Sequence, residues 1–328
     1  MSQAGIVLIG RNEGDRLIRS LNSVVGSNRP IVYVDSGSTD GSCQAAIDRG
    51  VDVVNLDLSI PFTAARARNA GFDRLKQQHP DLDYVQFIDG DCEVAAGWLD
   101  AAAETLDGNP NVVAVCGWRR ERYPDRSIFN RICDVEWRLG SIGSVDSFGG
   151  DVMIRADAFS KAEGYNDSMI AGEDPELSVR LRRIGDILRL DRTSTIHDAD
   201  MHHLSQWWNR IQRGGFAYAL VASMYADQPE RKFVKEARRI WIWGILAPVG
   251  AIALAPITHG LSLVTFARYP IAALKTFYST SRQGFSAAES AAWGLSCGAS
   301  VFPEAIGSLR FHLLRLRGEQ AQLIEYKS

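Results

Sequence analysis

Tyr84-Val-Gln-Phe-Ile-Asp-Gly-Asp91 is the stretch on which the reading of this chain turns. A largely apolar, strand-forming run delivers two carboxylates separated by one small residue. Asp-Gly is also an ordinary turn pair, so the signal lies in its setting. Gly5-Ile-Val-Leu-Ile9, Ile31-Val-Tyr-Val34 and Val51-Asp-Val-Val-Asn-Leu56 precede it as further strand-like runs. Continuous apolar runs of this kind suit strands covered on both faces. Between them lie helical patterns: Leu17, Leu21, Val24 and Val25, then stretches over 41–49 and 64–77. The β-α-β-α alternation predicts an α/β domain with a mostly parallel sheet flanked by helices. In such sheets ligands gather beyond the carboxyl ends of the strands.

Those ends carry Arg11-Asn12-Glu13 after the first strand, Asp35-Ser-Gly-Ser-Thr-Asp40 after the second and Asp89-Gly90-Asp91 after the fourth. Each loop alone reads as a turn. Carboxylates brought together at one sheet edge repel unless a cation or hydrogen-bond donors compensate. A divalent metal with a nucleotide would supply both. Mg2+ and Mn2+ favour hard oxygen ligands and commonly take one or two carboxylates plus substrate phosphates.

Composition narrows the alternatives. The 328 residues carry a formal net charge of -3, which argues against a general nucleic-acid binder. Five cysteines, none spaced as CxxC, speak for reduced, buried thiols rather than a disulfide or zinc framework. No basic segment followed by an apolar one opens the chain, so secretion is not expected.

Ile9-Gly-Arg-Asn-Glu13, Val34-Asp-Ser-Gly-Ser-Thr-Asp-Gly41, Ala67-Arg-Asn-Ala-Gly71, Phe87-Ile-Asp-Gly-Asp91 and Gly172-Glu-Asp-Pro-Glu-Leu-Ser-Val-Arg180 follow in that order. Together they resemble the family 2 glycosyltransferases, over roughly the first two thirds of the chain. The resemblance implies a GT-A-type, Rossmann-like fold and an inverting, metal-dependent transfer from a sugar nucleotide, a UDP-sugar being favoured, with Mn2+ or Mg2+ as cofactor. It implies that Arg11, Asn12, Glu13, Asp35, Arg68 and Asp89 serve the nucleotide, Asp35 at the base and Arg68 at the diphosphate. Asp91 would ligate the metal, with His197 completing the site. Asp174 would be the catalytic base, and Gly150, Asp151 and Glu173 would lie on the acceptor side. The chemistry is coherent by itself: a leaving diphosphate needs positive charge, and an acceptor hydroxyl needs a carboxylate to take its proton.

Other readings of these residues stay open. Glu173-Asp174-Pro175 also suits a helix N-terminus. His197 could equally be a surface or supporting histidine. Trp207 and Trp208 could stack on a sugar, although a core role is favoured. The QxxRW order of processive synthases is lacking, so transfer of one or a few sugars is expected. A dinucleotide oxidoreductase is a rival, but Gly5, Gly10 and Gly14 do not make GxGxxG. A non-catalytic scaffold with a transferase-like fold is another.

The catalytic domain is expected over 1–228 and an apolar helical region over 229–328. Arg231, Lys232, Lys235, Arg238 and Arg239 precede Ile240–Ala267, which contains no Asp, Glu, Lys or Arg. About 20 apolar residues can span a bilayer, yet Pro248 and Pro256 would break a straight helix. A kinked span or shallow hairpin, an interfacial helix pair and a soluble extension compete. Membrane association is preferred, with a glycan or lipid-linked acceptor for lipid-linked glycan, glycolipid or exopolysaccharide synthesis. The expected location is the cytoplasmic face of the inner or plasma membrane, or the cytoplasm.

Overall fold

A computed structural model describes residues 2–319, so Met1 and residues 320–328 of the expected C-terminal region lie outside the described residues. The chain divides into two compact units. The first comprises Met1–Arg122 with Trp137–Ala199, and the second Tyr123–Glu136 with Asp200–Ser328. By packing, the helix that precedes the composition shift near Arg231 falls in the second unit.

The first unit runs β1 (Ala4–Gly10), α1 (Asp15–Val24), β2 (Ile31–Asp35), α2 (Ser42–Ile47), β3 (Asp52–Asn55), α3 (Ala64–Gln78), β4 (Tyr84–Asp89), β5 (Cys92–Val94), α4 (Trp98–Gly108) and β6 (Val112–Glu121). After α5 (Ile128–Arg138), most of which belongs to the second unit, the first unit resumes with β7 (Gly143–Ser144), β8 (Val152–Arg155), α6 (Ala156–Lys161), α7 (Glu173–Arg182) and β9 (Asp186–His197). The strands form one sheet in the order β3-β2-β1-β4-β8-β6-β9-β5, with β7 pairing β9. The first four strands are parallel, as their alternation with helices predicted. Beyond β4 the sheet is mixed: β8 runs antiparallel to both β4 and β6, and β5 and β7 are antiparallel to β9.

The two-residue period of a strand divides the core. Val7, Ile9, Val32, Val34, Val85 and Phe87 face α3 through Ala67, Phe72 and Leu75. Ile6, Leu8, Tyr33 and Ile88 pack on the other face with Leu17, Leu21 and Val24 of α1. Gly71 seats α3 on the sheet, since a Cβ there would collide with the Val7 side chain. Arg68, about one helical turn earlier on the same face, is thereby carried to the strand ends.

The second unit contains α8 (Leu204–Tyr225), α9 (Val234–Trp241), a π-helical turn (Ile242–Leu246), α10 (Ala247–Leu254), a 3-10 stretch (Leu261–Ala267), α11 (Arg268–Ser281), α12 (Ala287–Ala299) and α13 (Val301–Arg317). Gly215 of α8 lies against the Glu304 backbone and Gly307 of α13 against the Gln212 carbonyl, each too close for a side chain. Phe216 meets Phe311 with ring centroids 5.5 Å apart. Trp207 is buried and donates from Nε1 to Ser296 Oγ at 3.0 Å, which makes it a core residue of this unit.

Candidate active site

Register places the motif-bearing ends side by side: Gly10 pairs with Asp35 and Ile9 with Asp89. Adjacent strands stand about 4.8 Å apart, so the loops after β2, β1 and β4 share one edge. Asp35 is buried, and its Oδ2 accepts from the Gly37 and Ser38 amides at 2.9 and 2.7 Å. Its Oδ1 accepts from the Tyr33 hydroxyl at 2.9 Å. A carboxylate offers roughly four lone-pair sites, so a base reaching Asp35 must share it with its own loop. Asn12, at φ 54°, clasps that loop. Its amide donates to Ser38 Oγ at 2.9 Å and its Oδ1 accepts from the Thr39 amide at 2.8 Å. Glu13 is ion-paired with Arg16 at 3.0 Å, and the Arg11 guanidinium lies 4.5 Å from the Phe62 ring centre.

Arg68 gathers the carboxylates. Its Nη2 meets Asp89 Oδ1 at 2.8 Å, and its Nη1 meets Glu173 Oε1 at 3.1 Å and Asp174 Oδ1 at 3.5 Å. The Tyr165 ring centre lies 5.2 Å from the guanidinium carbon. The Arg68 side chain is only 3% exposed, and it faces these acids. Gly150 lies against this group: a Cβ there would stand 2.6 Å from Asp89 Oδ2 and 2.8 Å from Arg68 Nη2.

Asp151 is engaged by its neighbours. Its carboxylate accepts from Arg119 Nε at 2.7 Å, Thr195 Oγ1 at 2.6 Å and the Asp89 amide at 3.3 Å. It holds the Asp89 amide and the Arg119 guanidinium. Glu173 is likewise buried and engaged by Arg68. Gly150 remains at the edge of the cluster as the point where backbone must approach closely.

Environment separates the acids. Burial pushes Asp89 up, but Arg68 and Arg119 outweigh it and hold the carboxyl below its ordinary range. Asp174 stands in the first turn of α7, after Gly172 at φ 83°. Burial drives it up, Arg68 pulls it back, and the neighbouring Glu173 and Asp89 charges push it up again, to about 7. Its Oδ1 has no hydrogen-bond partner. Carboxyls pushed apart in this way are the kind of pair that could divide acid and base roles.

A second grouping surrounds Asp91. Residue 91 follows β4, and His197 ends β9, where it pairs with Cys92 and Glu121. His197 Nε2 lies 3.0 Å from Asp91 Oδ2, and Nδ1 faces Glu121 Oε2 at 3.8 Å. The Trp137 ring packs edge-on at 4.5 Å. Burial lowers the His197 pKa, but the Asp91 charge and hydrogen bond outweigh it and the net shift is upward. Asp91, Cys92 and His197 could offer ligand atoms to one ion, as could Asp89, Cys92 and Asp151. Arg68 and Arg119 already neutralise the second set, so the first is the better cation site. His202 and His203 are exposed, with His202 paired to Asp200.

Arg119, Glu121, Tyr165 and Thr195 were not legible as site residues. Trp118-Arg-Arg-Glu121 closes a long strand, and nothing in its spacing marks which charge points inward.

Residues 6–160, a little under half of the chain, match the family model described as glycosyl transferase family 2. A 105-residue stretch is 28% identical to glycosyltransferase AglE of Haloferax volcanii, covering 30% of this chain and 33% of that protein. The chain thus matches about a third of that relative's length. The structure is similar to mannosyltransferase PcManGT from Pyrobaculum calidifontis, solved in complex with GDP-Man and Mn2+: TM-score 0.61, 18% identity, 94% of this chain and 87% of that one. It is also similar to a mycobacterial protein, at TM-score 0.50 and 18% identity, over 68% of this chain and 74% of that one. These likenesses show the fold, which is of the GT-A type.

Proposed function

We propose, from the match of residues 6–160 to the family 2 model, that this chain transfers a sugar from a nucleoside diphosphate donor, a UDP-sugar being favoured, to a hydroxyl acceptor with inversion. The observation that carries this reading is the Arg68 cluster. One guanidinium ties the Asp89 strand end to the α7 terminus and stands 3.5 Å from Asp174 Oδ1, an ion pair without a hydrogen bond, while burial holds that carboxyl up at about 7. A general base is most effective when its pKa lies near the working pH. Asp174 takes the proton of the acceptor hydroxyl as that oxygen bonds to the anomeric carbon. The bond to the phosphate oxygen breaks on the opposite side, and its electron pair leaves with the nucleoside diphosphate.

Asp91 and His197 fit a divalent cation, since a carboxylate oxygen and an imidazole nitrogen stand 3.0 Å apart in a buried setting. That donor set suits Mn2+ better than Mg2+. When bound, the ion offsets charge growing on the departing diphosphate. Arg68 orients Asp89 and Asp174, and Asp35 with Asn12 shapes the loop that meets the nucleoside.

The second unit supports work at a membrane on a lipid-linked or envelope glycan acceptor. Among the described residues, Val234–Leu254 is one helix long and apolar enough to cross a bilayer. The basic residues before Ile240 suit anionic headgroups of a cytoplasmic face.

Nucleotide binding and hydrolysis across UDP-, GDP- and TDP-sugars, with and without Mn2+, test the proposal. Binding and Mn2+-stimulated release with one donor class are expected. Failure of every sugar nucleotide to bind, with NAD bound instead, would sink it.

A further inference from the structure

The membrane reading leaves open whether Ile240–Ala267 crosses a bilayer, and the geometry of this segment answers that. The outgoing arm is the π-helical turn and α10, and the returning arm is the 3-10 stretch. Between them the chain reverses, with His259 and Gly260 at φ 49° and 84°. Ser262 Oγ donates to the Ala251 carbonyl at 2.6 Å. Farther back, the Tyr269 hydroxyl donates to the Trp243 carbonyl at 2.6 Å, and the Arg268 guanidinium carbon lies 5.2 Å from the Trp243 ring centre. Trp243 facing Tyr269 and Ala251 facing Ser262 make the two arms an antiparallel hairpin.

The base is fixed and the remainder is bare. Gly244 lies against α13, where a Cβ would meet the Ala305 side chain at 2.6 Å and the Val301 carbonyl at 2.7 Å. Beyond it, Leu246, Val249, Ile252, Ile257, Leu261 and Val264 are each 60% exposed or more. The turn satisfies its own backbone, with the Thr258 amide on Leu254 O at 2.9 Å and the Gly260 amide on Ala255 O at 2.8 Å. Hydrocarbon demands such internal bonding.

We propose that this hairpin is a re-entrant anchor that enters one leaflet of an anionic bilayer and returns to the same side without crossing; this rests on the membrane reading above. Length is the first argument. From Trp243 to Leu254 a helix rises about 17 Å at about 1.5 Å per residue, roughly half of a hydrocarbon core of about 30 Å. The 21-residue helix reaches spanning length only by counting the turn that holds Lys235, Glu236, Arg238 and Arg239. Chemistry is the second argument. Trp243, Tyr269 and Arg268 meet at the base, and Arg238 and Trp241 lie just before it in the chain; these are the residue types of a membrane–water interface. The tip carries Ile257 with only Thr258 and His259 as polar side chains, and no charge. A crossing segment would need interfacial anchors at that end as well.

Full-length protein carrying Ile257→Cys, with the part-exposed Cys43 and Cys297 changed to Ser, is labelled with an environment-sensitive fluorophore and mixed with phosphatidylcholine/phosphatidylglycerol vesicles. Flotation of the unlabelled wild-type chain tests the membrane reading alone. A chain that stays soluble, monomeric or self-associated, overturns that reading. Given flotation, the inference expects quenching strongest with lipids brominated near the acyl ends. It also expects the 257 thiol to resist an impermeant maleimide on both sides of sealed proteoliposomes. Labelling only from the side opposite the catalytic unit means a span, and quenching strongest at the headgroup depth means a surface helix; either overturns the inference. Lys235→Gln with Arg238→Gln should weaken partitioning roughly fivefold per charge removed, and unchanged partitioning refutes the choice of an anionic leaflet.

Discussion

His197 Nε2 lies 3.0 Å from Asp91 Oδ2, although one residue closes β9 and the other follows β4. The sheet makes this pair: β5, which begins immediately after Asp91, lies antiparallel to the end of β9, with Cys92 opposite His197. In the proposed cation site, removing either partner removes one of the ligands. Asp91→Asn and His197→Ala should each abolish Mn2+ binding in a calorimetric titration. EDTA should silence the wild-type enzyme, with recovery on adding Mn2+. Wild-type affinity in either variant would refute the assignment.

Glu121 faces the other ring nitrogen of His197 at 3.8 Å and accepts the Ala199 amide at 3.0 Å. A carboxylate behind a metal-binding imidazole sets its orientation and tautomer, and losing one typically costs 10–100-fold in metal affinity. Glu121→Leu should weaken Mn2+ binding by about that factor. Glu121→Gln, which keeps an acceptor, should recover most of it. Equal affinity in both variants would show that Glu121 merely supports the strand end.

For Asp174, kcat/KM should rise with pH through an apparent pKa of about 7. Asp174→Asn should flatten that limb and lower kcat by about 10²–10⁴-fold. Stability follows the opposite direction. The folded-state pKa lies above the ordinary 3.8, so folding favours the protonated acid. That contribution is complete below about pH 4 and is lost as the pH rises through about 7. Asp174→Asn should therefore show a higher Tm than wild type at pH 8, with the gap narrowing towards pH 4. A Tm difference independent of pH would contradict the shift.

Gly150→Ala places a methyl 2.6 Å from Asp89 Oδ2 and 2.8 Å from Arg68 Nη2. Displacing reacting groups by about an ångström can cost 10²-fold in rate, so kcat should fall to that extent while the fold survives. Gly149→Ala is the control, because nothing lies within 4 Å of its added methyl. Equal rates in the two variants would remove Gly150 from the site.

Trp207 belongs to the core of the second unit, so Trp207→Ala should destabilise that unit by about 3–5 kcal/mol in denaturant unfolding. The donor KM should hardly move. A large rise in KM with unchanged stability would restore the sugar-stacking role.

The strands that hold the nucleotide side were legible because each is a short apolar run followed by a polar turn. β1, β2 and β4 fall within a residue of their expected limits, and Ala64–Gln78 begins where the helical pattern does. The antiparallel strands beyond β4 were not legible as a topology. Pairing there is set by packing between segments far apart in sequence, and Val112–Cys116 reads alike whichever neighbour it takes.

Asp89, Asp91 and Asp174 stand out as candidates only through the ordered set of motifs, since each acidic segment alone reads as a turn or a helix start. Which oxygen is satisfied and which is left bare is another matter. That Arg68 turns inward to three acids, that Asp151 is consumed by Arg119 and Thr195, and that Glu121 backs His197 depend on side chains meeting across the folded sheet. Electrostatic energy depends on distance and burial, and both come into being only when the chain has folded.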